Sequence, residues 1–187
     1  MFNSSCLLVE SKTMCPKIVA LTGSPGTGKS TLAALLNEQG FHVVTVERVA
    51  QQVNALTQHH GLNEIDTAKL MTWAWNGTEV CIVDGHLSHH CSIDAVIVLR
   101  CNPSILRTRL SKRSGYDLKK IESNVEWELL GGVWSELLEL HPNVNAIEID
   151  TSVQQINLES VLEFLSNPDT NESVENLIQD SIDWISI

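Results

Sequence analysis

The sequence predicts an α/β protein in which a parallel β-sheet is flanked by helices. Two observations carry this prediction. Five short apolar segments alternate with stretches of helical periodicity, and the first segment runs into a glycine-rich turn that opens a helix. The apolar segments are KIVALTG (17–23), FHVVTV (41–46), EVCIVDG (79–85), DAVIVLR (94–100) and NAIEID (145–150). We therefore expect a five-stranded parallel sheet.

Helical periodicity fills the intervals between these segments. The first helix, STLAALLNEQG, spans residues 30–40 and is stopped by its last glycine. Asn102 caps a later helix that has Pro103 in its first position and runs to about Arg113. The other helices are predicted over residues 47–58 and 66–75, separated by the turn HHGLN, over 117–140 with a weak point at Gly131 and Gly132, and on both sides of the linker 167–172.

Length and composition indicate one soluble domain. The chain has 187 residues, 43% of them hydrophobic, which is enough for a substantial core. Residues 1–14 lack the basic stretch and the long apolar run of a secretory signal, and the other apolar runs are only strand-sized. We expect a cytoplasmic protein without membrane association, with a dispensable leader over residues 1–14 and a single domain over residues 15–187.

Charge is distributed unevenly along the chain. The net charge of −11 argues against broad attraction to nucleic acid or to an anionic membrane. Residues 151–187 hold seven acidic residues and no Lys or Arg, whereas residues 100–120 hold seven of the twelve basic residues. The basic window indicates an anion site.

The strongest motif is GSPGTGKST, residues 23–31, which matches the phosphate-loop pattern G-x-x-x-x-G-K-[ST]. It follows an apolar strand and opens a helix, so successive backbone N–H groups can surround the β-phosphate of a nucleotide. Lys29 would bridge the β- and γ-phosphates, and the Ser30 hydroxyl would ligate Mg²⁺. The motif predicts a nucleotide-binding P-loop protein.

Asp84 ends the apolar strand that begins at Val80. A carboxylate at this position is typical of the acid that holds a Mg²⁺-bound water beside a phosphate loop. A strand-terminal aspartate can also serve only to form a turn. The phosphate loop upstream favours the metal role.

Three histidines and a cysteine follow Asp84 in the sequence DGHLSHHC, which raises a zinc alternative. The chain has five cysteines without a C-x-x-C pair, and no second ligand cluster lies at a standard spacing, so zinc is disfavoured. The cysteines are expected to be reduced thiols. His86 is placed to face the γ-phosphate or an attacking water, whereas His89 and His90 are expected at the surface or behind the site.

The basic window continues into Ser114-Gly115-Tyr116 and contains Arg109 and Arg113. These two arginines are four residues apart and share one helix face, so both could converge on nucleotide phosphates if the segment folds over the site. The alternative is that these arginines belong to a basic helix face that only contacts solvent. A phosphate loop in the same chain favours a mobile lid.

The combination of GSPGTGKST, VDGH, IVLR and RLSKRSGYDLKKIESNVEWE resembles the adenylate kinase isoenzyme 6 family, in particular its archaeal branch. The resemblance covers residues 17–150 and implies a nucleoside monophosphate kinase-like fold. It implies a short monophosphate-binding segment at about residues 44–64 and a small lid at about 112–122. By resemblance, the ATP-binding residues are Gly26, Gly28, Lys29, Ser30, Thr31, Arg109 and Arg113; Asp84 and His86 are the Asp-x-His pair used in ATP hydrolysis, and Arg113 is the lid arginine.

These residues allow more than one function. A kinase would transfer the γ-phosphate of MgATP to AMP or a related monophosphate, with ATP hydrolysis as an intrinsic side activity. The resemblance also implies a role in maturation of the small ribosomal subunit through a ribosomal protein, with the acidic helices of residues 151–187 as one candidate surface. The alternative for these helices is that they only cover a face of the sheet. The alternatives are an assembly factor that mainly hydrolyses ATP, and a kinase for a small metabolite.

Overall fold

The computed structural model describes residues 17–59, 62–152, 156–167 and 172–186. Eight strands and eight α-helices are assigned in this part of the chain. The strands are β1 (Ile18–Thr22), β2 (His42–Thr45), β3 (Leu56–His59), β4 (Leu62–Ile65), β5 (Cys81–Asp84), β6 (Ala95–Arg100), β7 (Asn145–Asp150) and β8 (Glu172–Ser173). The helices are α1 (Lys29–Glu38), α2 (Val46–Gln52), α3 (Thr67–Leu70), α4 (Pro103–Ser111), α5 (Leu118–Leu129), α6 (Gly132–Leu140), α7 (Leu158–Ser166) and α8 (Val174–Leu177).

The main sheet has six strands in the order β2-β5-β1-β6-β7-β8. The first five of these run parallel, as predicted, and the two-residue strand β8 adds an antiparallel edge to β7. In this register Asp84 lies opposite Leu21 on one neighbouring strand and Thr45 on the other. The ends of β1, β2 and β5 therefore meet at the carboxyl edge of the sheet, which is where parallel α/β proteins bind ligands.

Two apolar layers cover the sheet. On one face, Val19, Leu21 and Ile82 pack with residues of α1 and α7. On the other face, Ala20 and Val83 belong to a cluster that includes residues of α2, α3 and α6. Because neighbouring residues of a strand point to opposite faces, a continuous apolar run is needed when both faces are covered. This explains why the sequence of β1 shows no polar alternation.

Helix α4 follows its sequence signals closely. The Asn102 side chain accepts a hydrogen bond from the Ser104 backbone N–H at 3.0 Å, and Pro103 occupies the first turn. Leu106 and Leu110 of α4 pack with Ile121 and other residues of α5 in a small separate core. The basic segment therefore rests on its own apolar support beside the phosphate loop.

The prediction of a helix over residues 47–58 is correct as far as the end of α2 and is wrong beyond it. Helix α2 ends at Gln52, Asn54 takes a left-handed conformation with φ of 52°, and an antiparallel hairpin of β3 and β4 follows. Leu56 and Ile65 are paired across the hairpin and both pack on the core. The apolar spacing of Val53 and Leu56 resembles a helical repeat, and tertiary pairing overrides it.

Three other helix boundaries differ from the prediction. Helix α3 is a single turn rather than a helix to residue 75, and the predicted helix 117–140 is divided into α5 and α6 at Gly131, where φ is 62°. Helix α7 is present as expected, but the second tail helix is reduced to α8 and a short 3₁₀ turn. Pairing of Ser173 with Asn145 in the sheet occupies the backbone that would have begun this helix.

Two further observations concern membrane-spanning helices and the cysteine thiols. No helix in the described ranges is long and apolar enough to span a membrane. Cys81, Cys91 and Cys101 are buried free thiols, and burial raises the pKa of Cys81 and of Cys91 to about 12. These three cysteines are therefore poor nucleophiles. The proposed leader, residues 1–14, lies outside the described residues.

Candidate active site

The phosphate loop connects β1 to α1 in a conformation that its first glycine permits. Gly23 has φ of 132°, and a Cβ atom there would lie 2.2 Å from the Leu99 carbonyl oxygen. The loop then turns on itself, since the Thr27 hydroxyl donates to the Ser24 carbonyl at 2.9 Å. Any larger residue at position 23 would strain the backbone and push the loop away from β6.

Lys29 begins α1 and bends back over the loop. Its Nζ donates to the carbonyl oxygens of Gly23 at 2.7 Å and Ser24 at 2.9 Å. Burial lowers the pKa of Lys29 to about 8, and the nearby Asp84 carboxylate partly opposes this effect. In this position the ammonium group can replace its hydrogen bonds to backbone carbonyls with hydrogen bonds to phosphate oxygens.

The predicted site residues at the sheet edge share one cavity of about 590 Å³. Lys29, Ser30 and Asp84 lie on its wall, together with His86 from the loop after β5 and Arg113 from the segment after α4. Its remaining lining residues include Gly26, Gly28 and Thr31 of the phosphate loop, Thr45 and Glu47 of the β2–α2 junction, and Tyr116, Lys120 and Asn124. Segments far apart in sequence thus converge on the phosphate loop.

The two groups of the Asp-x-His pair have shifted pKa values in opposite senses. Burial raises the pKa of Asp84, although the Lys29 charge opposes the shift. Desolvation, followed by the Lys29 charge, lowers the pKa of His86, so its imidazole is held neutral. A neutral imidazole can accept a proton from a water or a hydroxyl group, which suits a group facing a phosphate.

A second cavity of about 490 Å³ also borders the phosphate loop at Gly26 and Gly28, and both arginines predicted to converge line it. Arg113 lines both cavities, whereas Arg109 is fixed by hydrogen bonds to the Thr151 carbonyl at 2.6 Å and to the Gly26 carbonyl at 3.5 Å. Leu35 and Ile156 supply apolar walls. This cavity has the mixed character that a nucleoside would require.

Three other basic residues have different surroundings, although Lys120 also lines the phosphate cavity. Arg107 is exposed and forms an ion pair with Glu122 of α5 at 2.6 Å. Lys120 lies over the Tyr116 ring, with its Nζ 4.3 Å from the ring centroid. Arg48, the arginine of the predicted monophosphate segment, lines a separate cavity near Trp73 and Trp75.

Two residues that sequence reasoning missed hold the phosphate loop from behind. The Thr151 hydroxyl lies 2.8 Å from the Thr27 carbonyl and 2.9 Å from the Arg100 carbonyl. Glu128 of α5 is fully buried and accepts a hydrogen bond from the Ser24 hydroxyl at 2.6 Å. Glu128 is the last residue of the segment RLSKRSGYDLKKIESNVEWE, but no local pattern assigns either residue to the phosphate loop, so the folded chain reveals this role.

Glu128 also belongs to a buried ionic network around Arg100. The Arg100 Nε donates to Glu128 at 2.7 Å, and its Nη1 donates to Glu148 at 2.8 Å. From the carboxyl-terminal segment, the Trp184 indole N–H donates to Glu128 at 3.2 Å and the Ile182 backbone N–H donates to Glu148 at 2.8 Å. The network thus connects the end of the chain to the phosphate loop through Ser24.

His89 is buried rather than at the surface. Its Nδ1 lies 2.8 Å from the Thr22 hydroxyl, and its Nε2 lies 2.7 Å from a carboxylate oxygen of Glu136 on α6. The hydrogen bond from His89 lowers the pKa of Glu136. His90 is half-buried beside it, and Cys91 packs in the core instead of joining the histidines.

The fold and the phosphate-loop site together define a P-loop kinase-type protein. A family model described as an AAA domain matches residues 19–131, which is more than half of the chain. An unliganded sugar kinase from Janibacter sp. HTCC2649 matches the fold with a TM-score of 0.50 and 17% identity, over 80% of this chain and 94% of that one.

Sequence relatives identify the family. A "Putative adenylate kinase" from Archaeoglobus fulgidus is 38% identical over 173 residues, covering 90% of this chain and 92% of that protein. A protein of the same name from Thermococcus kodakarensis is 40% identical over 139 residues, covering 72% of this chain and 76% of that protein. The chain belongs to this archaeal adenylate kinase-type family, as the sequence resemblance predicted.

Proposed function

We propose that the protein transfers the γ-phosphate of ATP to AMP or a related nucleoside monophosphate. One observation carries the proposal: Lys29, Ser30, Asp84 and Arg113 line a single cavity at the carboxyl edge of the sheet. Lys29 and Arg113, two of the three cationic side chains that line this cavity, would oppose the charge of the transferred phosphoryl group, which is how phosphoryl transfer is stabilised. The adenylate kinase name of the relatives supports this choice of reaction.

In this proposal ATP lies across the phosphate loop. Its triphosphate would be bound by the backbone of Gly26 and Gly28 and by Lys29, and its base would occupy the cavity lined by Arg109 and Ile156. The base is then held between an arginine fixed by Thr151 and an apolar side chain. Arg113 lines both cavities and would reach the phosphates from the lid.

Mg²⁺ fits the same cavity. Ser30 offers a hydroxyl oxygen and Asp84 offers a carboxylate oxygen, and both line the wall that also contains Lys29. Magnesium prefers such oxygen ligands and retains several waters. When bound it would supply positive charge to the nucleotide phosphates. Thr31, the remaining motif residue, lines both cavities.

The acceptor would enter beside the loop after β5, in a cavity to which the described residues of the predicted monophosphate segment, 44–64, contribute no lining residue. A further cavity of about 370 Å³ is lined by Gly23, Ser24 and Pro25 of the phosphate loop, by His86, by residues of α5 that include Asn124, and by Val133 and Glu136 of α6. Asn124 and His86 line the phosphate cavity as well, so the two spaces adjoin. A monophosphate in the smaller cavity could present its phosphate to the γ-phosphate of ATP.

His86 favours a second candidate function, ATP hydrolysis. Its side chain lines the cavity wall, and the lowered pKa favours the neutral imidazole, which can orient a water. An ATPase of this kind would suit an assembly factor in the cytoplasm. The described acidic residues of the tail are exposed and could bind a basic small-subunit ribosomal protein; they are Glu159, Glu163, Glu172, Glu175, Asp180 and Asp183.

Nucleotide product analysis tests the choice between these functions. The protein is incubated with MgATP, first by itself and then with AMP, CMP, UMP or dAMP. Kinase activity predicts that a monophosphate accelerates ADP formation and is itself consumed. Formation of ADP and inorganic phosphate at a rate that no monophosphate changes would overturn the kinase proposal and support hydrolysis.

A further inference from the structure

Three side chains outside the phosphate cavity converge on one point. They are His89 and His90, from the 3₁₀ turn after β5, and Glu136 from α6. One Glu136 carboxylate oxygen lies 2.7 Å from the His89 Nε2 and 3.7 Å from the His90 Nε2. The three potential ligand atoms all lie within 4.8 Å of one another.

The imidazole ring of His89 is held in this arrangement by contacts behind it. The His89 Nδ1 is hydrogen bonded to the buried Thr22 hydroxyl at 2.8 Å, which directs Nε2 away from the sheet and toward Glu136. The His141 Nε2 donates to the His89 backbone carbonyl at 2.8 Å and thereby fixes the turn. A hydrogen bond on the second ring nitrogen is the usual way in which proteins orient a histidine ligand.

The cluster also has an opening. His90 and Glu136 line a cavity of about 320 Å³ together with Thr67, Met71 and Leu140. This opening gives an ion a path to the cluster and leaves space for a water molecule. An incoming water could complete a four-coordinate site.

We propose that His89 Nε2, His90 Nε2 and a Glu136 carboxylate oxygen bind one Zn²⁺ ion, with water as the fourth ligand. Metal–ligand bonds of about 2.0–2.1 Å in a tetrahedral site place the ligand atoms roughly 3.3 Å apart. The distances from the Glu136 oxygen to the His89 Nε2 and to the His90 Nε2 lie on either side of this value. Two imidazoles and one carboxylate suit Zn²⁺, whereas Mg²⁺ prefers an all-oxygen set. The site is distinct from the residues proposed to hold Mg²⁺.

The structure thus supplies the ligand that sequence spacing could not find. Glu136 follows His90 by 46 residues, and nothing local pairs a carboxylate on α6 with the histidine turn. His86 and Cys91, which flank the two histidines in sequence, are not part of the cluster. A bound ion would tie the loop that carries His86 to α6.

Metal binding is measured on untagged protein that has been treated with chelator, without nucleotide and with excess Mg²⁺. Zinc titration by calorimetry and metal analysis after dialysis give stoichiometry, and the visible spectrum of bound Co²⁺ reports a tetrahedral ligand set. We expect one ion per chain. His90→Ala and Glu136→Gln should each weaken Zn²⁺ binding more than about tenfold, since loss of a ligand should cost at least as much as loss of a residue that orients one.

Two control variants match these changes. Glu38→Gln alters an exposed carboxylate on α1, and His42→Ala removes an exposed histidine from β2; both residues lie outside the cavity at the cluster, and both changes should leave Zn²⁺ binding unchanged. Absence of stoichiometric binding would overturn the proposal and leave His89 and Glu136 as a hydrogen-bonded pair. Binding that survives both cluster variants would also overturn it. Because no nucleotide is present, either result leaves the kinase proposal untouched.

Discussion

The hydroxyl group of Ser24 in the phosphate loop donates a hydrogen bond to the buried carboxylate of Glu128, 104 residues further along the chain, at 2.6 Å. The same carboxylate accepts from Arg100 at 2.7 Å and from the Cys101 backbone N–H at 3.1 Å. Because Glu128 is fixed by several donors, Ser24 is bonded to a rigid partner. The conformation of the loop therefore depends on α5 as well as on its own sequence.

The first prediction concerns this contact. Ser24→Ala removes a charge-assisted hydrogen bond, so the free energy of unfolding should fall by about 1–3 kcal/mol, as measured by urea denaturation. The KM for ATP should also rise, because a less ordered loop binds phosphate less well. A variant with both native stability and native KM would show that the contact does not hold the loop.

The second prediction contrasts a buried ion pair with an exposed one. Glu128→Ala leaves the buried Arg100 with Glu148 as its one remaining acidic partner among the described residues, so we expect a loss of about 3–5 kcal/mol in the free energy of unfolding. Glu122→Ala breaks the exposed ion pair with Arg107 and should change stability little. Equal effects in thermal or urea denaturation of the two variants would contradict the account of the buried network.

The third prediction separates hydrolysis from transfer. His86→Ala should lower the rate of ATP hydrolysis more than the rate of transfer to AMP, because the acceptor supplies its own nucleophile. His42→Ala changes an exposed histidine away from the phosphate cavity and serves as the control. Equal losses in the two assays would exclude a specific role of His86 with water.

The fourth prediction uses the lowered pKa of Lys29. In the nucleotide-free protein this pKa is about 8, below the ordinary value of 10.5, so the unfolded chain binds more protons between these pH values. The Lys29 contribution to the free energy of unfolding should therefore rise from about pH 8 to 10.5. Lys29→Met lacks this contribution, so the stability difference between variant and wild type should change over that window. A difference independent of pH would show that the pKa of Lys29 is not lowered.

Local patterns predicted the parts of the fold that depend on local chemistry. The five parallel strands, the Asn102 cap and the break near Gly131 follow from apolar runs, capping and glycine, which act within a few residues. The β3–β4 hairpin was not predicted, because its stability comes from pairing between Leu56 and Ile65 and from packing on the core. An analysis of helical periodicity does not detect such pairing between strands.

The residues of the candidate site can also be divided into those that local patterns predicted and those that they did not. Lys29, Ser30 and Asp84 were found because a motif and a strand end carry their chemistry, and the structure brings them into one cavity. Glu128 and Thr151 were missed because they act on the phosphate loop across more than 100 residues of sequence. No local pattern assigns such residues to the loop that they support, and the tertiary structure identifies this role.

A single-turnover experiment with γ-labelled ATP, unlabelled AMP and excess protein tests the proposed phosphoryl transfer most directly. We expect the label to appear in ADP, which requires that AMP has accepted the γ-phosphate. Lys29→Ala should reduce this rate by on the order of 10³ without unfolding the protein, whereas Lys119→Ala, an exposed lysine on α5, should not. Label recovered only as inorganic phosphate, or a folded Lys29→Ala variant with near-native transfer, would contradict the proposal.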